Sequence, residues 1–352
     1  MNEHYYRLKV KDIVQETSNA ISIVFDQPTP AMEYKSGQFL TLIVNIDGKD
    51  VRRSYSFCSA PGIDQDLVVT VKRVQDGLMS NFLPDHIRVG DEIKVMEPMG
   101  HFTTEFDAAN RRHLIMFAGG SGITPFMSHI KSLLKHEPNS IITLIYANRN
   151  LDSIIFKQDL ENMQMQHEGK LHVIHILEEA PLTWQGPSGL LNHETLQKML
   201  RRIPDWGLDQ TQYLMCGPEG MMYNIETYLK QQGISSDKLF KESFVAPTID
   251  REPQPDQSDE VVAREVSILY EGEAHQITVE PDSTILETAL DHDIDLPYSC
   301  QSGLCTACRA KLLSGKIKMD EEEGLSDQER EEGYVLICVG HPLTPDVKLE
   351  VG

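Results

Sequence analysis

Four cysteines late in the sequence have a spacing with a narrow chemical meaning. Cys300, Cys305 and Cys308 read C-x4-C-x2-C, and Cys338 follows after 29 intervening residues. Thiolates at these intervals suit a plant-type [2Fe–2S] cluster, with three ligands on one tight loop and the fourth from another part of the fold. Gly303, inside the loop, lets backbone wrap the inorganic core without a Cβ clash. Two other uses of cysteine fit less well. Structural zinc sites usually pair their ligands as two short C-x2-C units, and only Cys305 and Cys308 form one. Disulfides need an oxidising compartment, and no apolar stretch resembling a secretory signal follows the opening Met-Asn-Glu-His-Tyr-Tyr-Arg. The expected metal ligands are the four cysteines, and such a cluster moves one electron at a time.

The source of the electrons is sought upstream. An apolar run, Leu114–Ala118, leads into Gly119-Gly120-Ser121-Gly122-Ile123-Thr124-Pro125. Glycines after a buried strand let backbone approach a pyrophosphate, and the helix that follows offers free N–H groups and the positive end of its dipole. Pro125 stands where a full G-x-G-x-x-G has its third glycine, and the first helical turn tolerates it. A tight strand-to-helix turn without a ligand shares this pattern. A second turn, Cys216-Gly217-Pro218-Glu219-Gly220, also follows a strand and opens a helix. Cys216, at a strand's carboxyl end, can touch a nicotinamide or serve as a small buried hydrophobe. Cys58 has no such context and reads as structural.

Two further segments suit a flavin. In Arg52-Arg53-Ser54-Tyr55-Ser56, Arg53 can pair with phosphate, Tyr55 can stack on a ring and Ser56 can hydrogen-bond the ring edge. Arginine and tyrosine also alternate on ordinary strands. The segment Gly77-Leu78-Met79-Ser80-Asn81-Phe82-Leu83 reads as a turn into a helix N-terminus suited to the same pyrophosphate. After the next strand comes Tyr146-Ala-Asn-Arg149-Asn-Leu-Asp152-Ser153. There Arg149 and Ser153 can receive a 2′-phosphate, which favours NADPH, and Asp152 can bond a ribose hydroxyl, which favours NADH. The reading leans to NADPH.

These groups need a scaffold of several parts. Residues 1–108 carry short strands at Ala20–Phe25, Phe39–Ile46, Ser54–Cys58, Leu67–Val74 and Glu92–Met96, separated by glycine and proline, the pattern of an antiparallel barrel. Residues 109–246 alternate buried-strand runs with helical stretches, the pattern of an α/β domain with a parallel sheet. Asn192 is the expected N-cap of one of these helices. Residues 247–260 are polar, with prolines at 247, 253 and 255, and read as a linker. Residues 261–352 read as a small α+β module: a hairpin turning at Glu271-Gly272, a helix over 283–292, the cysteine loop, and a short helix with a Ser326/Glu329 capping box.

Composition narrows the function. The 352 residues carry a formal charge of −22, which argues against nucleic acid. Residues 260–352 hold 20 acidic and 7 basic residues, a net of −13, so the module with the cysteines has a field that can steer a basic partner. No run approaches the roughly 20 apolar residues of a membrane span, and the expected location is the cytoplasm.

Taken in order, Arg53-x-Tyr55-Ser56, Gly77-x-x-Ser80, Gly120-x-Gly122-x-Thr124-Pro125 and Cys216-Gly217-Pro218 resemble the motifs of the ferredoxin–NADP reductase superfamily. With the cysteine module, the chain resembles the reductase components of multicomponent oxygenases, of the phenylacetyl-CoA epoxidase and 3-ketosteroid 9α-hydroxylase type. That resemblance implies a flavin barrel, a nicotinamide-binding α/β domain and a β-grasp ferredoxin domain. It implies FAD, rather than the FMN of phthalate dioxygenase reductase, held by Arg53, Tyr55, Ser56, Gly77, Met79 and Ser80. It sets Thr124 and Cys216 beside the nicotinamide and Glu242 and Phe244 near the flavin; Gly120, Gly122, Arg149 and Gly217 are the further candidate dinucleotide-binding residues. Ser56, Cys216 and Glu242 are then the candidate catalytic residues.

Electron counting agrees. A reduced nicotinamide gives two electrons as hydride, the cluster takes one, and a flavin can mediate between them. The expected route is NAD(P)H to FAD to the cluster to a one-electron protein acceptor, expected to be an oxygenase. The alternatives are a stand-alone reductase serving a ferredoxin or flavodoxin, and a non-catalytic redox-sensing subunit.

Overall fold

A computed structural model describes residues 5–208, 210–244, 263–281, 283–301, 303, 305–322 and 324–351. The segment expected as a linker, 247–260, lies outside the described residues. The chain divides into two compact units, a larger one within residues 4–243 and a smaller one formed chiefly by residues 244–352.

The larger unit begins with strands β1 (Tyr5–Thr17), β2 (Ala20–Phe25), β3 (Phe39–Ile46), β4 (Lys49–Ser56), β5 (Leu67–Lys72) and β6 (Glu92–Met96), with helix α1 (Leu78–His86) between β5 and β6. They form one six-stranded sheet in the order β4-β3-β6-β1-β2-β5. Its two ends meet where Phe57, just past β4, bridges Val69 of β5, so the sheet curls into a barrel. The inner face is filled by Leu8, Val10, Ile23, Phe25, Leu40, Leu42, Phe57, Leu67, Val69, Val71 and Val95. β1 was not among the expected strands. Leu8 and Val10 alternate with exposed Arg7, Lys9 and Lys11, but the run is short because a register shift between Val10 and Asp12 breaks the period.

The same unit continues through β7 (Arg112–Gly119), α2 (Ile123–His136), β8 (Ile141–Asn148), α3 (Lys157–Gln166), β9 (Leu171–Leu177), α4 (His193–Leu200), β10 (Gln210–Cys216), α5 (Glu219–Gln231) and β11 (Leu239–Glu242). The sheet order is β11-β10-β7-β8-β9, and every neighbouring pair is parallel. All eight residues of β7 are buried, as a central strand covered on both faces requires. The Asn192 side chain caps α4 by accepting from the Thr195 N–H at 3.0 Å.

A polar seam holds the barrel to this sheet. The hydroxyls of Ser36 and Ser132 meet at 2.7 Å, and the buried His129 contacts the Phe102 carbonyl through Nε2 at 2.9 Å. Gly37 has φ +92, and a Cβ there would fall 1.8 Å from the Phe102 carbonyl oxygen and 2.5 Å from His129 Nε2. Only glycine fits this approach.

The smaller unit contains β12 (Arg264–Tyr270), β13 (Glu273–Val279), α6 (Ile285–Asp291), β14 (Arg309–Ser314), β15 (Ile317–Met319), α7 (Asp327–Glu331), β16 (Tyr334–Leu336), β17 (Gly340–Pro342) and β18 (Val347–Val351). The main sheet runs β13-β12-β18-β14-β16, and β15 pairs with β17. The hairpin turns at Glu271 and Gly272, both with positive φ. Capping boxes start α6 at Thr284 and α7 at Ser326. Ile285, Leu286 and Ala289 of α6 pack into a core with Val266, Ile268, Leu336 and Leu349, the arrangement of a sheet grasping one helix.

Candidate functional site

In the parallel sheet, β7 is followed to one side by β8 and β9 and to the other by β10 and β11. The chain therefore reverses direction across the sheet between β7 and β10, and ligands of open α/β sheets bind at that crevice, beyond the carboxyl ends of the strands. Both glycine turns lie there. The turn after β7 and the turn after β10 interlock: a Cβ on Gly122 would fall 2.1 Å from the Cys216 carbonyl oxygen, and one on Gly217 would fall 2.9 Å from Gly119 Cα. Gly119 meets Pro218 in the same way, at 2.6 Å from its Cδ. The turns pack closely, backbone against backbone and against the Pro218 and Met221 side chains, so none of the three glycines can carry a Cβ. Thr124, buried, donates to the Ser121 carbonyl at 3.0 Å, and the Tyr146 hydroxyl donates to the Gly120 carbonyl at 3.0 Å, so the turn is held in shape.

One residue at this turn belongs to none of the sequence motifs. Lys72 ends β5, and its ammonium lies 3.0 Å from where a Cβ on Gly120 would stand. Burial alone lowers its pKa, and no ion pair to it occurs among the described residues. A half-buried, unpaired ammonium beside a glycine turn is complementary to an anion. The clue in the sequence was a lone lysine closing an otherwise uncharged strand, Leu67-Val-Val-Thr-Val-Lys72, five residues before Gly77.

The flavin candidates sit on the barrel. β4 carries Arg53, exposed, then Tyr55, half-buried, then Ser56, buried. The Ser56 hydroxyl is enclosed yet has no hydrogen-bond partner among the described residues, which is what a residue awaiting the polar edge of a ring requires. Gly77 stands at the N-cap of α1, where a Cβ would fall 2.3 Å from the Ser80 hydroxyl. Ser80 accepts from the Val74 N–H at 3.2 Å. Met79 needs a correction: its side chain is 1% exposed and packs in the barrel core, so only its backbone can serve an anion. These groups fit a flavin in chemistry: a cation, an aromatic face and an enclosed hydroxyl.

Cys216 and Glu242 end adjacent strands in register and are both buried. Burial first, and then the Glu242 carboxylate, push the Cys216 thiol well above its ordinary pKa. It is a neutral S–H, not a thiolate nucleophile. Phe244, two residues past β11, is exposed. Arg149, expected to take a phosphate, instead forms an ion pair with Glu179, Nε to Oε1 at 2.8 Å. Cys58 is buried and hydrogen-bonds the Val68 carbonyl, as a structural thiol does.

In the smaller unit the four expected ligands converge. Cys300 acts on the Cys305 thiol, and Cys300 and Cys308 both act on the Cys338 thiol, so the four lie close together. These contacts, ahead of burial, hold the Cys305 and Cys338 thiols well above their usual range when no metal draws off the protons. Gly303 has φ +72, and a Cβ on Gly324 would fall 2.6 Å from the Gly303 carbonyl oxygen and 2.7 Å from the Cys305 nitrogen. The loop is thus drawn tight by two glycines around sulfur donors that fit a [2Fe–2S] cluster.

Barrel, crevice and sulfur cage together define a pyridine-nucleotide-dependent flavoprotein oxidoreductase with its own iron–sulfur module. Comparison with known proteins narrows the class. Residues 6–104 match the oxidoreductase FAD-binding domain, residues 116–227 the oxidoreductase NAD-binding domain and residues 268–343 the 2Fe-2S iron-sulfur cluster binding domain. One subunit of the 1,2-phenylacetyl-CoA epoxidase of Escherichia coli (strain K12) is 34% identical over 98% of this chain and 97% of its own length. The ferredoxin reductase component of the 3-ketosteroid-9-alpha-monooxygenase of Rhodococcus rhodochrous is 33% identical, covering 97% and 96%. The solved structure of phthalate dioxygenase reductase superposes with a TM-score of 0.61 at 23% identity over 99% of this chain and 98% of that one, a likeness of fold. The chain belongs to the ferredoxin–NADP reductase superfamily, among the iron–sulfur flavoprotein reductases related to oxygenase reductase components. It is an NAD(P)H-dependent oxidoreductase using FAD and a [2Fe–2S] cluster. Among the described residues no helix is long and apolar enough to cross a membrane.

Proposed function

We propose that this chain is the reductase of a multicomponent oxygenase, taking hydride from NAD(P)H and handing single electrons to the oxygenase. When bound, the flavin accepts a pair of electrons and releases them one at a time, and the cluster carries them singly. The protein's part is placement. The interlocked turns at Gly122 and Cys216 and the ammonium of Lys72 receive the dinucleotide's pyrophosphate. Ser56 offers its hydroxyl to the ring edge, Tyr55 an aromatic face and Arg53 a cation. Cys216 closes the crevice floor as a neutral thiol, with Glu242 beside it as the acidic group. Cys300, Cys305, Cys308 and Cys338 hold the irons. We further propose the partition 1–108, 109–246 and 261–352 for the three domains, joined by 247–260, and a cytoplasmic setting in which thiols stay reduced.

The observation that carries this reading is the presence, in one chain, of a dinucleotide crevice and four converging thiols. A stand-alone reductase serving a separate ferredoxin would have no need of the second. The test uses Cys305→Ser in the flavin-loaded protein. Reduction of a one-electron protein acceptor should be lost, and NAD(P)H-dependent reduction of a small dye largely kept. Equal survival of both activities overturns the proposed order of carriers. Purification of the oxygenase that restores substrate turnover with this reductase identifies the partner.

A further inference from the structure

The residues just past β8 bear on which dinucleotide enters, and the inference drawn from them rests on the reading that this crevice takes NAD(P)H. In open α/β sheets this position meets the adenosine ribose: a carboxylate takes the 2′-hydroxyl, and a cation takes a 2′-phosphate. Both groups that would favour the phosphate here have a partner within the protein, Ser153 through its hydroxyl and Arg149 through Nε in an exposed ion pair. The Arg149 guanidinium donates from Nε to Glu179 at 2.8 Å. Ser153 donates its hydroxyl to the Asn150 carbonyl at 2.8 Å and accepts from the Asn150 N–H at 3.1 Å, so a capping box uses it.

The carboxylates around Arg149 are held in place by backbone. The Glu179 N–H donates to the Arg149 carbonyl at 2.7 Å, and the Glu178 N–H to the Asn148 carbonyl at 3.0 Å. Glu178 also acts electrostatically on the Arg149 guanidinium. Asp152 is exposed and has no ion pair among the described residues. One cation therefore stands beside two carboxylates, Glu178 and Glu179, with the exposed Asp152 three residues along the chain, where a phosphate dianion would have to sit. Like charges brought together at a recognition site reject the wrong ligand.

We infer that this chain selects NADH over NADPH, with Asp152 receiving the ribose hydroxyls and the Glu178–Glu179 pair holding Arg149 and repelling a 2′-phosphate. The sequence alone leans the other way, because it shows Arg149 and Ser153 without their partners.

The test measures kcat/KM for both dinucleotides with a small dye acceptor on the flavin-loaded protein. It also measures binding of adenosine 5′-monophosphate and adenosine 2′,5′-bisphosphate by calorimetry. Wild type should favour NADH by about tenfold or more, the scale that a few like charges within a Debye length produce. Glu178→Gln combined with Glu179→Gln should shrink that ratio by about three- to tenfold and shift binding toward the bisphosphate. Asp152→Asn should lower kcat/KM for NADH more than for NADPH. Equal or better use of NADPH by wild type, or a ratio unmoved in the double variant, overturns the inference. If neither dinucleotide is oxidised and neither adenosine probe binds, the crevice itself is misread and the inference falls with it.

Discussion

Cys216 and Glu242 close the carboxyl ends of β10 and β11 as register partners, a thiol beside a carboxylate, both shut away from solvent. The pairing decides what the cysteine can be. A reactive cysteine needs a cationic or dipolar setting that lowers its pKa, and Cys216 has the opposite. It can pack and hydrogen-bond at the crevice, but it cannot attack.

That argument gives a pH prediction. Burial pushes the Cys58 thiol up to about 12 and moves Cys216 in the same direction. An unfolded cysteine ionises near 8.5. The folded state therefore keeps protons that the unfolded state releases. The stability this supplies is complete below the unfolded pKa and is lost as pH rises toward the folded one. The melting temperature should fall as pH rises from about 9 toward 12. At pH 8, iodoacetamide should leave both cysteines unmodified in the folded flavin-loaded protein and modify both after denaturation, as read by peptide mass mapping. Rapid labelling of folded Cys216 would contradict its placement.

The interlocked turns predict a steric effect with a built-in control. Gly122→Ala places a Cβ 2.1 Å from the Cys216 carbonyl, and backbone cannot yield there cheaply. The two turns must separate, and the KM for NAD(P)H should rise at least tenfold, the scale of misplaced positioning groups. Gly220→Ala lies one turn away, in α5, with nothing within 4 Å of the new Cβ. It should leave KM unchanged and stabilise the fold by about 0.5–1 kcal/mol through helix propensity. Steady-state kinetics and thermal melts separate the two variants.

How much of this was legible follows from the range of the interactions. The four cysteines, both glycine turns, the Asn192 cap and the Ser326/Glu329 box are local patterns whose meaning lies within a few residues, and the sequence shows them. β1 was missed because a register shift after Val10 cuts its two-residue alternation to a few positions. Lys72 was invisible as a site because its significance comes from Gly120, 48 positions away and brought close only by docking of the barrel on the sheet. The Arg149 ion pair was hidden for the same reason: its partner Glu179 arrives from just past the end of the next strand. Met79 looked like part of a loop motif because helical periodicity over nine residues does not say which side of α1 is buried.

Lys72 supports a prediction in which stability and function move in opposite directions. Without a ligand, its half-buried ammonium is desolvated and has no ion pair among the described residues, an arrangement that costs stability. Lys72→Met keeps the length and apolar stem of the side chain and removes the charge. The ligand-free protein should melt at the same or a higher temperature. The KM for NAD(P)H should rise about tenfold or more, as expected on losing a charge-assisted phosphate contact. Flavin content, read from the visible spectrum, should persist. A variant that loses stability and keeps its KM would show that Lys72 is a structural residue only.

The pair Arg112–Glu137 is the natural place to test how the sheet is anchored to the chain that leaves the barrel. Arg112 Nε and Nη2 bond the two Glu137 oxygens at 3.0 and 2.6 Å. Its remaining donors reach Thr104 at 2.8 Å, Gln212 at 3.0 Å and the Glu105 carbonyl at 2.9 Å. Burial works against the Glu137 carboxylate, yet hydrogen bonds from Arg112, Asn110 and Ser140 hold its pKa below the usual value. Its contribution to stability is therefore present above the normal carboxylate range and lost as pH falls through the lowered pKa. Arg112→Met strands a buried carboxylate and should cost about 3–5 kcal/mol. With about 2–4 °C per kcal/mol for a unit of this size, the melting temperature should drop by roughly 6–20 °C. Adding Glu137→Leu removes the stranded charge and should recover much of that loss, because two apolar groups replace a pair whose desolvation was never cheap. A double variant no more stable than Arg112→Met would mean that Thr104, Gln212 and the Glu105 carbonyl, not the ion pair, carry the anchoring.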